Sequence, residues 1–275
     1  MISMLTPLPI GNAVKVTLLP PRGSTLTRLL RNDSGEFSGA DDSSALVVFE
    51  GNERSILDDI GLVNGQRYHY CPFYLSGFEW TGADPGSVIP QATYVDRSVD
   101  AMTVILDRIA AGLRVEVDRG LLQHESGAIP VLSAPPVFSE TRWPVVTVHL
   151  QQEASASRGL GELIEVDERD DEDWTESEGW RARSQITVIA WSLNPDERIT
   201  LRKALRRLIV GNLEVFDANA MTEIDLSMQD IEDFTSYNAP VYQAMATITC
   251  VAPVLVSGKV GDISDVNTVV TVEIQ

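Results

Sequence analysis

The amino-acid sequence predicts an α+β protein, with a small N-terminal β-sandwich followed by an α+β domain whose helices pack on a mainly antiparallel sheet. Three observations carry this prediction. Residues 12–80 hold short strand-like runs cut by turn residues, with no helical period. Residues 98–118 and 195–210 place apolar side chains at helical spacing. Alternating runs at 143–150, 184–192, 221–229 and 241–251 are interleaved with those helices, and that mixed order makes the class α+β. At 275 residues the chain is long enough for two cores. The expected division is 1–90 for the sandwich and a linker, 91–256 for the α+β domain and 257–275 for a C-terminal extension.

The sandwich strands are expected at Val14 to Leu19, Thr25 to Arg31, Ala45 to Glu50, Arg54 to Leu57 and Tyr68 to Leu75. Pro20-Pro21-Arg22-Gly23, Asn32-Asp33-Ser34-Gly35, Gly51-Asn52 and Val63-Asn64-Gly65 separate them. The segment Leu62-Val63-Asn64-Gly65-Gln66-Arg67-Tyr68-His69-Tyr70 resembles the corner before the penultimate strand of a fibronectin type III domain. There a Leu, a turn and a Tyr-x-Tyr pattern recur. Thr27–Arg31 and Leu46–Gly51 resemble the strands before it. The resemblance implies that the Tyr68 hydroxyl folds back onto the corner backbone. Tyr68, Tyr70, Phe73, Tyr74 and Trp80 can be read as a carbohydrate platform, but alternation in a half-buried strand favours core packing.

Thr81 to Ser87 has linker composition, which places a boundary near residue 90. Val99, Met102, Leu106, Ile109 and Leu113 then predict a helix over about 98–118, capped by Asp96 or Ser98. Trp143 to Leu150 is a strand, Ser155 to Gly161 a loop, and Leu163 to Val166 the start of another strand. Glu165 to Glu178 carries nine carboxylates and one Arg. It lacks the glycine and ligand spacing of a calcium loop, so it reads as a solvated acidic hairpin loop. Ser184 to Ser192 alternates with apolar residues on both faces, as a strand covered on both sides would. Asn194, Pro195 and Glu197 then supply a cap, a first helical position and a capping-box acid. Ile199, Leu201, Leu205, Leu208 and Ile209 form the apolar stripe, and Gly211 with Asn212 predicts a left-handed stop. Strands at 221–229 and 241–251 follow, joined by a turn over 230–238. Thr268 to Ile274 is a β-prone run near the end.

Arg198, Arg202, Lys203, Arg206 and Arg207 occupy the polar face of the second helix, in a chain of net charge −19. They read either as a solvated face making weak ion pairs or as a ridge that docks on an acidic surface of a neighbouring copy. The acidic balance, with a sequence pI near 4.4, argues against general binding to nucleic acid. No apolar run reaches the roughly 20 residues that span a bilayer, and no signal peptide is read at the start, so no membrane partner is expected. Cys71 and Cys250 lie in separate predicted domains and read as two buried free thiols, with a disulfide between domains or between subunits as the alternative. His69, His124 and His149 are far apart, and no nucleophile elbow, phosphate loop, dinucleotide fingerprint or metal spacing occurs. The expectation is a protein that is not an enzyme, has no cofactor and no metal site, and works by shape and contact.

The order helix, WPVVTVHL, RGLGE, acidic hairpin, QITVIAWSLNPDERITLRKALRRLI, EIDLSMQD and PVYQAMATITCVAP resembles the tail terminator, or tail completion, proteins of tailed bacteriophages over about residues 91–255. That resemblance implies a virion structural protein, made in a host cytoplasm and placed at the neck of the viral tail. It would form a homohexameric ring that caps the tail tube and takes part in head–tail joining. The implied partners are itself, tail tube and possibly sheath proteins, and the head–tail connector, with DNA passing through unbound. The five basic residues are then the candidate subunit interface. Alternatives are another neck or baseplate protein, or an adhesion module binding a carbohydrate or protein. An acidic hydrolase without a recognisable site is the third reading.

Overall fold

The computed structural model describes residues 1–157, 165–166, 174–237 and 239–260. Turn residues cut the N-terminal region into β1 (Ile2–Pro7), β2 (Val14–Leu18), β3 (Leu26–Asn32), β4 (Leu46–Gly51), β5 (Ser55–Asp58), β6 (Tyr68–Ser76), β7 (Glu79–Gly82), β8 (Gly86–Val88) and β9 (Val95–Asp96). One sheet has the order β1-β2-β5; the other runs β4-β3-β6-β7, with β8 also paired to β6. Alternation sends Val14, Val16, Leu18 and Ile56 from the first sheet, and Leu29, Tyr68 and Tyr70 from the second, into one core. The outer face of the second sheet is covered too, where Leu30, Cys71 and Phe73 pack with Phe37 and Ala40. As expected of the corner, the Val63 N–H donates to the Tyr68 hydroxyl at 3.0 Å. Tyr68, Tyr70, Phe73 and Tyr74 are all buried, which leaves no aromatic platform on this strand.

Two expectations for this region are corrected. β1 lies before the first predicted strand; a register shift between Ile2 and Met4 breaks the alternation that would have marked it. The linker-like stretch 81–87 is structured: Ala83 N–H donates to the Pro72 carbonyl at 3.0 Å, and Gly86 pairs with Tyr70 in β8. Among the described residues, internal contacts group 1–96 with 165–166, 174–177 and 257–260 as one unit, and 97–157 with 178–256 as the other.

The rest of the chain forms α1 (Ala101–Asp118), β10 (Val131–Leu132), β11 (Val145–Ser157), β12 (Glu165–Val166), β13 (Trp174–Ser192), α2 (Pro195–Gly211), α3 (Leu213–Ala218), β14 (Thr222–Asp233) and β15 (Val241–Val260). The main path of the sheet is β10-β11-β13-β15-β14. β10 is parallel to β11, whereas β11–β13 and β14–β15 are antiparallel. With 45% strand and 17% helix, this α+β protein is mainly β.

Even-numbered residues of β11, β13 and β15, among them Val146, Val148, Ile186, Val188, Ala246 and Ile248, share one core with both long helices. α1 contributes Ile105, Ile109 and Leu113, and α2 contributes Leu201, Leu205 and Ile209. Each of these large side chains stabilises the fold by about 1.5–3 kcal/mol through burial. Gly112 lets the helices approach, because a Cβ there would lie 2.4 Å from a Leu208 methyl. On the opposite face Val145, Ile189, Trp191 and Val241 pack with Phe138, Trp143 and Tyr237. The strand 184–192 is therefore covered on both sides, as its composition predicted.

Several boundaries move for local reasons. α1 is capped by Asp100, which accepts from the Thr103 N–H at 3.1 Å and its hydroxyl at 2.6 Å, and not by Asp96 or Ser98. Arg97 and Val99 are still extended there, with their N–H groups on the carbonyls of Leu255 and Pro253. Asn212 has φ −106°, so the expected left-handed stop does not occur. Its amide donates to the Leu208 carbonyl at 2.7 Å and its carbonyl oxygen accepts from Arg108 Nε at 2.7 Å, turning the chain directly into α3. β11 runs on to Ser157, β14 to Asp233 and β15 to Val260. The acidic stretch begins as β12, paired through Glu165 and Val166 with Ser177 and Glu176 of β13. Residues 167–173, and with them the expectation of a solvated loop, lie outside the described residues, as does the run Thr268–Ile274.

Candidate subunit interface on helix α2

β13 ends at Ser192, whose hydroxyl accepts the Asn194 N–H at 2.9 Å and also bonds Glu197. The Asn194 side chain accepts from the Asp196 N–H at 2.8 Å, and Pro195 occupies the first helical position. Glu197 thus reaches the cap through Ser192, not by the direct bond of a capping box. Leu201, Ala204, Leu205 and Ile209 face the core, which turns the basic residues outward along the flank.

The five predicted interface residues then separate into two groups. Arg198 Nη1 donates to Glu232 at 3.0 Å, and its guanidinium stacks over the Tyr242 ring at 5.7 Å. Its buried Nε stands 3.6 Å from Asp230 without a hydrogen bond. Arg202 donates to Asp230 at 2.7 Å. Arg207 binds the buried Glu116 of α1 through both Nη2 at 2.5 Å and Nε at 3.3 Å. Lys203 and Arg206 are exposed, and neither pairs with a carboxylate among the described residues.

Reading from sequence missed the acidic partners. Asp230 and Glu232 continue the row of Leu226 and Met228 on β14, the row that pairs with Ile248, Ala246, Ala244 and Tyr242 of β15. Carboxylates that prolong an apolar row beside a covering helix attract cations from that helix, so the spacing of LSMQDIED held that signal. Glu116 gives the same sign on α1, at a buried position in series with Ile105, Ile109 and Leu113.

Two clefts are candidates for small ligands. One of about 550 Å³ is lined by Leu122, His124, Glu125, Trp143 and Glu197. His124 Nδ1 accepts the Ser126 N–H and its Nε2 faces the Arg142 carbonyl, both at 3.2 Å, while Ser192 holds Glu197. The other, about 600 Å³, lies at one end of the sandwich beside Arg31, Asp33, Ser44 and Gln66. Arg31 there donates to the fully buried Asp58 at 2.6 Å and to the Ile60 carbonyl at 2.9 Å, and Tyr70 donates to the same Asp58 at 2.8 Å. Burial, then the Asp58 hydrogen bond, pushes the Tyr70 hydroxyl far above its ordinary pKa. Among the described residues no three His, Cys, Asp or Glu side chains converge as a metal site requires. Likewise, among them no helix is long and apolar enough to cross a membrane. Cys71 and Cys250 are free and buried.

Comparison with known protein families finds no match, and no curated protein matches the chain.

Proposed function

We propose that this chain is a phage virion structural protein that closes the end of a tail tube as a ring and joins it to the head connector. The observation that carries the reading is the element order α1, β11, β12, β13, α2, β14, β15, with both long helices in one core on one sheet face. That is the order on which the resemblance to tail terminators rests. The N-terminal sandwich adds a fibronectin type III-like module, with Tyr68 in its corner.

Arg198, Arg202 and Arg207 are engaged within the chain, so contact with an acidic neighbouring copy falls chiefly to Lys203 and Arg206. A small basic patch on a strongly acidic chain orients like copies head to tail, since every other approach meets repulsion.

The test replaces both residues, Lys203→Glu with Arg206→Glu, in phage grown on the variant. The expected result is a chain with wild-type circular dichroism and thermal midpoint that is missing from purified particles, whose tails lack a closed end by electron microscopy. Normal incorporation of the double variant overturns the interface. Absence of the wild-type chain from particles overturns the function.

A further inference from the structure

Asn64-Gly65 is the one Asn-Gly dipeptide in the sequence. It is the pairing in which an asparagine side chain is most open to attack by the next backbone nitrogen, because glycine puts no side chain in the way. In the folded chain both reacting groups are held. Asn64 Oδ1 accepts the Asn12 N–H at 2.7 Å, while the Asn64 N–H donates to Asn12 Oδ1 at 3.1 Å. The two asparagines clasp each other across loops fifty-two residues apart. The Gly65 nitrogen, which would be the nucleophile, donates its proton to the Pro90 carbonyl at 2.8 Å. The cradle is built for this amide: Asn12 has φ 52°, and a Cβ on Gly11 would lie 2.5 Å from Asn64 Nδ2.

We infer that Asn64 is a latent deamidation site, kept unreacted by the Asn12 clasp and the Gly65–Pro90 hydrogen bond, and modified when that corner opens. The Gly65 nitrogen loses its proton to solvent and attacks Asn64 Cγ. The Cγ–Nδ2 bond breaks, and Nδ2 leaves as ammonia with a proton from solvent. Water then opens the cyclic imide at either carbonyl, giving aspartate or an isoaspartyl linkage. One water is consumed, one ammonia is released, and nothing is oxidised or reduced. The aspartate product keeps an acceptor for Asn12. The isoaspartyl product lengthens the backbone by one carbon between Val63, which donates to Tyr68, and Gly65, which donates to Pro90. The corner then cannot re-form both bonds, so the change is one-way.

The test follows isoaspartyl content at residue 64 by peptide mapping of the full chain in warm, mildly alkaline buffer. The chain unfolded in urea should convert at least about tenfold faster than the folded chain. Asn12→Ala, checked for folding by circular dichroism, removes the acceptor for the Asn64 N–H and should raise the folded rate roughly fivefold. Asn12→Asp retains that acceptor and should stay near the wild-type rate. A folded chain that converts as fast as the unfolded one overturns the proposal. So does an Asn12→Ala chain no faster than wild type, or an Asn12→Asp chain as fast as Asn12→Ala.

Discussion

The sandwich and the α+β unit both end apolar strand rows with carboxylates, and they handle them differently. In the sandwich, Arg31 and Asp58 have side chains 9% and 0% exposed, and Tyr70 and the Ile60 carbonyl take up further bonds. In the other unit, Asp230 and Glu232 are 24% and 47% exposed, and Arg198 and Arg202 reach them from α2 at the margin of the sheet. The first pair has left water, so losing either member strands a charge in apolar surroundings. Arg202 is 39% exposed, so water can take over there from a lost partner and its bond contributes little net. The same residue types therefore fix the structure in one place and decorate it in the other.

The strongest way to break this comparison is Asp58→Ala, expected to cost about 3–5 kcal/mol in urea unfolding because Arg31 stays buried without its partner. Joint replacement, Arg31→Met with Asp58→Leu, should recover most of that loss. A single-variant cost near zero would remove the distinction. Arg207→Ala sharpens the comparison from the middle: Arg207 is half exposed but Glu116 is buried, and about 2 kcal/mol is expected by the same measurement.

Asp100→Ala should cost about 1 kcal/mol, the value of a helix cap, and it carries a pH signature. The Thr103 hydroxyl holds the Asp100 carboxyl below its ordinary pKa. Its charge-linked stability is therefore complete above the unfolded value and fades as pH falls through the lower folded one. Asp100→Asn should keep the cap and lose that fade, which unfolding curves of both chains across acidic pH would show. The smallest effect is expected for Arg202→Ala, within about 0.5 kcal/mol and shrinking with added salt.

Much of the fold was legible. Strand-like runs between turn residues located β2 to β6, apolar strand runs located β11 and β15, alternation located β13 and β14, and helical spacing with Asn194-Pro195 located α2. β1 was hidden by its register shift, and the start of α1 by backbone bonds from Arg97 and Val99 to β15, which no local pattern encodes. The basic ridge was visible as a stripe, but which of its members are engaged was not. That depends on β14 lying beside α2, a pairing set by the sheet order. Asp58 after Ile56 was readable as a carboxylate on an inward row, whereas Asp230 fell in the expected turn over 230–238 and came into view only with the full length of β14. The identity of the arginine that meets each one needed the tertiary fold.

The two thiols lend the molecule a pair of native reporters. Burial first, with Asp84 second for one and Glu153 second for the other, pushes Cys71 and Cys250 up to about 11. Neither sulfur is reactive toward alkylating agents while its surroundings stay closed. Cys71 belongs to one unit and Cys250 to the other, so pulsed alkylation read by mass spectrometry clocks the breathing of each half separately, with no label to install.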